Sequence, residues 1–359
     1  MAKLLGTVMA SALLLSIIWA GAAGAWNRGH VDTFAVLPDY APGVPESAEG
    51  LAVGPDGNIY VPSGGFNADG FVPGPATLWV FNPAGQLIRT VTLTGTEPPV
   101  LGIAFNPANG LAFIADLGNS SVFTWNPVTN TTTLVASLGG GAGPNAICFD
   151  ATGNVYISDS FQGVIWKTDK NGNNLTQWVP PNPLLMPGSG LNPPFGANGI
   201  EFNKGRTAMF VANTANHTII KIPMNSNGTA GTPTLFTTGI NAPDGIAIDA
   251  DDNLWVDANQ EDEIVVIDPN GKVIAKLGDF DGISGNGTPR GLLFPASLAF
   301  SLDGKFIYTS NFALHLPFAG AQVAIDSGWT LEVKHFTVSR LRAKIPPLGD
   351  GNNDGSEDR

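Results

Sequence analysis

Six residues stand at the head of one recurring phrase in this sequence, and four of them carry oxygen able to hold a hard cation. The phrase is an apolar triplet, a turn, a β-rich run and a polar residue. Its copies read AEGLAVGPDGNIYVPS, VLGIAFNPANGLAFIAD, PNAICFDATGNVYISD, ANGIEFNKGRTAMFVAN, PDGIAIDADDNLWVDA and PASLAFSLDGKFIYTSN. At the triplet starts stand Glu49, Gly102, Asn145, Asn198, Asp244 and Ser297. One Glu, one Asp and two Asn, with no His or Cys among them, form an all-oxygen set that suits Ca2+ best and Mg2+ or Mn2+ less well. A divalent ion held there would polarise a carbonyl or phosphoryl oxygen. Asp244, and after it Glu49, is the candidate general base or nucleophile, while Asn145 and Asn198 would orient the ion.

Residues so far apart meet only if the repeats close into a ring. The six positions are spaced by 53, 43, 53, 46 and 53 residues, a period that suits propeller blades of about four strands. Within a unit, Ile246-Ala247-Ile248 reads as an inner strand, a tight turn follows, and Leu254-Trp255-Val256 reads as the second strand. Runs such as Val122 to Trp125 and Ile264 to Ile267 supply third strands, and Trp329 to Val338 is assigned that place in the sixth unit. Val31 to Leu37 is left over and closes the ring as the outer strand of the last blade. The fold class is therefore all-β, a six-bladed β-propeller over residues 26–340, closed by an N-terminal strand.

Turns between first and second strands are all short. Long connections fall at Ser63 to Ala76, Pro180 to Ala197, Asp279 to Pro295 and Phe312 to Gly328, all on the face where inner strands begin. That face is the one on which a rigid scaffold would present functional loops. Asp116, Asp159, Asn213, Asp257 and Asn311 lie at or near second-strand ends there and read as turn caps, with pocket lining as the alternative. His217 reads as structural, and His315 sits in the long sixth-blade connection, within reach of the mouth. No G-x-S-x-G motif occurs, so nothing points to a Ser-His-Asp triad.

Composition narrows the remaining choices. Gly (45) and Pro (28) are abundant while charged residues make only 13%, which excludes disorder and disfavours long helices. A formal charge of −13 makes nucleic acid an improbable partner. Residues 1–25 combine Lys3, an apolar run from Leu4 to Trp19 and Ala23-Gly24-Ala25, the pattern of a cleaved signal peptide. The expected location is therefore secreted or periplasmic, with no membrane attachment after cleavage. The single Cys148 reads as a buried thiol with no partner in the chain. Residues 341–359 read as an acidic tail whose DGNNDGSEDR begins like a calcium loop but ends before its twelfth position.

Within EGLAV, PNAICFD, ANGIEF and PDGIAID the sequence resembles the SMP-30/gluconolactonase/luciferin-regenerating-enzyme family, which also includes diisopropylfluorophosphatase-like hydrolases. The resemblance spans about residues 31–340 as repeat architecture. It implies that Glu49, Asn145, Asn198 and Asp244 hold a catalytic divalent metal, position by position. Ala146 replaces the Asp that many members carry after the third-blade Asn, and Leu101 and Gly102 offer no Arg to orient a sugar acid. The expected function is an exported, monomeric, Ca2+-dependent hydrolase of lactones, esters or phosphoesters. The alternatives are a non-catalytic NHL-like binding propeller and a lyase or strictosidine-synthase-like enzyme. For the synthase, Glu332 is the only late Glu before the tail, and it falls in an expected strand.

Overall fold

A computed structural model describes residues 27–67, 70–188, 195–313 and 327–345. The signal segment 1–25, His315 and the tail beyond residue 345 lie outside the described residues. Six four-stranded antiparallel sheets form the blades, in the order expected. The fifth blade shows the pattern: Pro243–Ile248 lines the channel, then come Leu254–Ala258, Glu263–Ile267 and, outermost, Val273–Leu277.

Strand alternation explains why blades stack into a ring. In Leu254–Ala258 the side chains of Leu254 and Val256 pack toward the fourth blade, while Trp255 packs toward the sixth. The second and third strands of a blade thus bury two faces while outer strands such as Leu87–Thr92 stay largely exposed, and six hydrophobic clusters fill the six gaps between neighbouring blades. On the lower face the turns are short because their own side chains satisfy them. Asp249 accepts from the backbone N–H groups of Asp251 and Asn253, each at 2.9 Å, and from the Trp255 indole at 3.0 Å.

The ring closes as the sequence indicates. Val31–Val36 pairs antiparallel with Thr337–Arg342, from Val31 opposite Leu341 to Val36 opposite Thr337, and the Leu37 N–H adds a bond to Phe336 O at 2.8 Å. Arg340 reaches Asp32 at 3.1 Å across this seam. Two details differ from the sequence reading. The third strand of the sixth blade is Thr337–Arg342, while Trp329 belongs to a short helix, Ser327–Thr330. That strand also runs past residue 340, so Leu341 and Arg342 are part of the propeller.

The described parts of the long connections lie on the face where the inner strands begin. Two of them carry hairpins of their own, Phe66–Asn67 with Gly70–Phe71 and Phe280–Ile283 with Pro289–Gly291. Among the described residues no helix is long and apolar enough to cross a membrane.

Candidate active site at the channel mouth

A repeated irregularity builds this site. In blades two to five the inner strand slips against its neighbour at one place, between Val100 and Ile103, Pro144 and Ile147, Ala197 and Ile200, and Pro243 and Ile246. A bulge frees residues from the ladder and re-aims their side chains. The first residue freed in each blade is Leu101, Asn145, Asn198 or Asp244, and the second is Gly102, Ala146, Gly199 or Gly245. In the sixth blade the slip frees Ala296, between Pro295 and Ser297. The upper ring is therefore Glu49, Leu101, Asn145, Asn198, Asp244 and Ala296. Gly102 and Ser297, aligned with the oxygen donors in the sequence, belong to the layer below.

The lower layer is small because the blades meet there. A Cβ on Gly50 would lie 2.0 Å from the Leu101 carbonyl oxygen, one on Gly102 2.2 Å from that of Asn145, and one on Gly199 2.1 Å from that of Asp244. Each glycine thus admits the next blade's backbone and draws the upper ring together. Ser310 ties the first strand in by donating its hydroxyl to Glu49 O. Beneath the rings lies a cavity of about 460 Å³ whose wall is as much polar as apolar, with Leu51, Ile103, Ile147 and Leu298 beside Glu201, Ser297 and Ser301.

The four oxygen-bearing side chains expected at the mouth do converge, and all are buried: Glu49 is 9% exposed, Asn145 3%, Asn198 4% and Asp244 5%. Burial pushes the Glu49 carboxyl up to about 8, a shift tempered by the Asn145 amide beside it. Asp244 is also pushed well above the usual carboxylate range, first by burial and then by the charges of Glu49 and Asp257, against hydrogen bonds from Asn259 and Asn198. Among the described residues neither Glu49 nor Asp244 has a Lys or Arg ion-pair partner. The Asn145 Nδ2 finds no acceptor at hydrogen-bonding geometry. Two acids facing each other without a cation, flanked by two amides, form a donor set that fits a divalent ion. Its four members come from four blades. Among the described residues no group of three or more His, Cys, Asp and Glu gathers anywhere, and the mouth itself brings together two acids and two amides.

Other candidates resolve into structural roles. Asp116 accepts from the Glu97 and Asn119 backbone N–H groups, both at 2.9 Å, and Asp159 from those of Gly143, Phe161 and Gln162. Asn213 donates to Leu184 O and Met186 O, and Asn311 to Gly291 O while accepting from Leu293 N–H. These are caps that hold the long loops. His217 is structural too, its Nδ1 accepting from Ala242 N–H at 2.9 Å. Asp257 differs: it points between the fifth and sixth blades, is fully buried, and accepts from the Thr309 hydroxyl.

Two contributors escaped the sequence reading. Asn259 Nδ2 donates to Asp244 Oδ2 at 2.9 Å, and Thr214 Oγ1 accepts from Asn198 Nδ2 at 3.0 Å while donating to Pro243 O at 2.8 Å. Each immediately follows the end of its blade's second strand, so aligning the repeats one residue further would have revealed them. On the rim, Phe161 is 42% exposed and its ring centroid lies 5.5 Å from that of Phe195, beside the partly exposed Leu184 and Met186. Phe161 packs over Gly143, two residues before Asn145, and Phe195 stands three residues before Asn198.

Residues 192–278, which hold Asn198, Asp244 and Asn259, match the sequence pattern of the SMP-30/Gluconolactonase/LRE-like region. A gluconolactonase of Zymomonas mobilis is 27% identical over 214 residues, covering 54% of this chain and 56% of that enzyme, so the match spans little more than half the relative's length. A solved gluconolactonase from Xanthomonas campestris superposes with a TM-score of 0.60 at 12% identity, covering 90% of this chain and 93% of the other. A calcium-binding regucalcin from Agrobacterium tumefaciens superposes at 0.59 with 18% identity, covering 88% and 98%. At such identities the superpositions show a shared fold, the six-bladed propeller of the SMP-30/gluconolactonase/LRE-like proteins.

Proposed function

We propose that this protein is an exported, Ca2+-dependent hydrolase of lactones or related esters, acting as a monomer at the mouth of its central channel. The observation that carries this reading is the pair of buried acids, Glu49 and Asp244, facing one another beside Asn145 and Asn198 with no protein cation to neutralise them. The likeness to gluconolactonases supports the hydrolytic chemistry, and the leader-like residues 1–25 support secretion or a periplasmic location.

When bound, a divalent ion supplies Lewis acidity toward the substrate's carbonyl oxygen. Glu49, Asn145, Asn198 and Asp244 would hold it through side-chain oxygens. Asp244 takes the proton from the attacking water, with Glu49 as the second carboxylate in reach of that role. The rim favours a substrate with an apolar substituent. Phe161, Phe195, Leu184 and Met186 offer it contact area, and the second and sixth blades place the core residues Leu101 and Ala296, not a charged or hydroxyl-bearing side chain, at the ring positions.

The test is a hydrolysis screen over gluconolactone, alkyl-substituted lactones, aryl esters and phosphotriesters, with and without chelator. We expect chelator-sensitive turnover, restored by Ca2+, and a loss of at least 100-fold in Asp244→Ala. No metal uptake and no turnover of any substrate would replace this reading with the NHL-like binding propeller.

A further inference from the structure

Metal ligands rarely orient themselves; a neighbouring hydrogen bond fixes them. At this mouth two ligand candidates are fixed and one is not, and the difference lies in the residue after each second strand. In the fourth blade that residue is Thr214, which takes Asn198 Nδ2 and passes its own proton to Pro243 O. In the third blade it is Ser160, whose hydroxyl donates to Ala197 O and leaves Asn145 Nδ2 without an acceptor. In the fifth it is Asn259, only 3% exposed, whose Nδ2 donates to Asp244 Oδ2.

The chemistry of this last contact is directional. An ionised carboxylate, the form that holds a metal, only accepts, so toward it the Asn259 amide turns its N–H2 and keeps its oxygen away. That oxygen, Asn259 Oδ1, is buried and has no partner in the protein. A buried acceptor left unmatched costs about 1–3 kcal/mol, so its presence beside an acidic ring calls for a donor brought by what the site binds.

We propose that Asn259 is a positioning residue of the metal centre, holding the Asp244 carboxylate through Nδ2 and receiving through Oδ1 a hydrogen bond from a water or substrate hydroxyl at the mouth. The inference rests on the metal-dependent reading above. Thr214 performs the first of these two tasks for Asn198.

Calorimetric titration of the full-length protein with Ca2+ alone tests it. Asn259→Leu should weaken Ca2+ binding by about 10–100-fold, the usual effect of removing such a partner. The thermal midpoint of the metal-free variant should stay level or rise, because an unmatched buried amide has been removed. Asn259→Ser, too short to reach Asp244, should show the same loss and serves if the Leu variant does not fold. Thr214→Val should weaken binding less, since its target is a neutral amide. A purely structural role would lower the midpoint and leave affinity within twofold of the parent; that result overturns the proposal. A parent protein that takes up no Ca2+ overturns the metal-dependent reading instead.

Discussion

Glu49, Glu46, Asp244 and Asp257 are acids held where water cannot reach them freely, and that fixes how the metal-free protein must respond to pH. Burial lifts Glu49 to about 8 and Glu46 to about 7, the latter against hydrogen bonds from Ser63 and the Gly65 N–H. It lifts Asp244 and Asp257 as well. An unfolded chain releases these protons near pH 4, so between pH 5 and 8 the folded state binds more of them than the unfolded one. Stability is then lost as pH rises through that window. Asp303, drawn down to about 2 by Ser301 and Lys305, is fully ionised throughout it and does not counter the trend. For metal-free protein we expect the thermal midpoint to fall by on the order of 5–10 °C from pH 5 to pH 8, given a few kcal/mol and about 2–4 °C per kcal/mol. Saturating Ca2+ should reduce the fall by pairing the ionised Glu49 and Asp244, and leave the part due to Glu46 and Asp257. A midpoint that rises with pH in chelator would mean that these carboxyls ionise freely.

At the scale of the strand, the site depends on glycines that carry no chemistry. Gly199 lies against the Asp244 carbonyl so closely that one added methyl must move backbone. Gly199→Ala should therefore cost about 1–3 kcal/mol, as overpacking does, and displace Asp244. Ala146→Gly, where a methyl is already accommodated, should be nearly neutral. Equal midpoints for the two in thermal unfolding would show that the close approach is not restrictive. The same elements explain what could be read in advance. Each inner strand keeps its apolar alternation and each lower turn its Asp, Asn or Gly, so six blades and the convergence of Glu49, Asn145, Asn198 and Asp244 at the mouth were legible. A bulge leaves no such mark. Leu101-Gly102 and Ala296-Ser297 each offer two small or apolar candidates, and alignment by polarity slid one place in both blades. Thr337–Arg342 was hidden because Arg340 and Arg342 interrupt its apolar pattern. Asn259 and Thr214 act through side chains folded back onto their own blade's first strand, and only an alignment carried one residue past the second strand brings them into view.

For the molecule as a whole, stability depends on a seam between its two ends. Val338 and Leu341 are fully or almost fully buried under Val31–Val36, and Phe34 packs edge-on against Tyr308 at 4.7 Å. Removing residues 27–37 would leave Thr337–Arg342 as an open edge able to pair with another chain. We expect that truncation to self-associate in size-exclusion chromatography and to melt at least 10 °C lower; a monomer with the parent's midpoint would show the seam to be dispensable. The seam also sets the order of events during synthesis. Val31 and its partner Leu341 are separated by about 300 residues, so at about 5–20 residues per second the first strand waits roughly 15–60 s for the last to emerge. Until then five blades can form while the sixth cannot, and the nascent chain stays an unclosed arc. Under the export proposed above, that delay is useful, because the barrier to threading through a translocation pore rises only once the ring has locked.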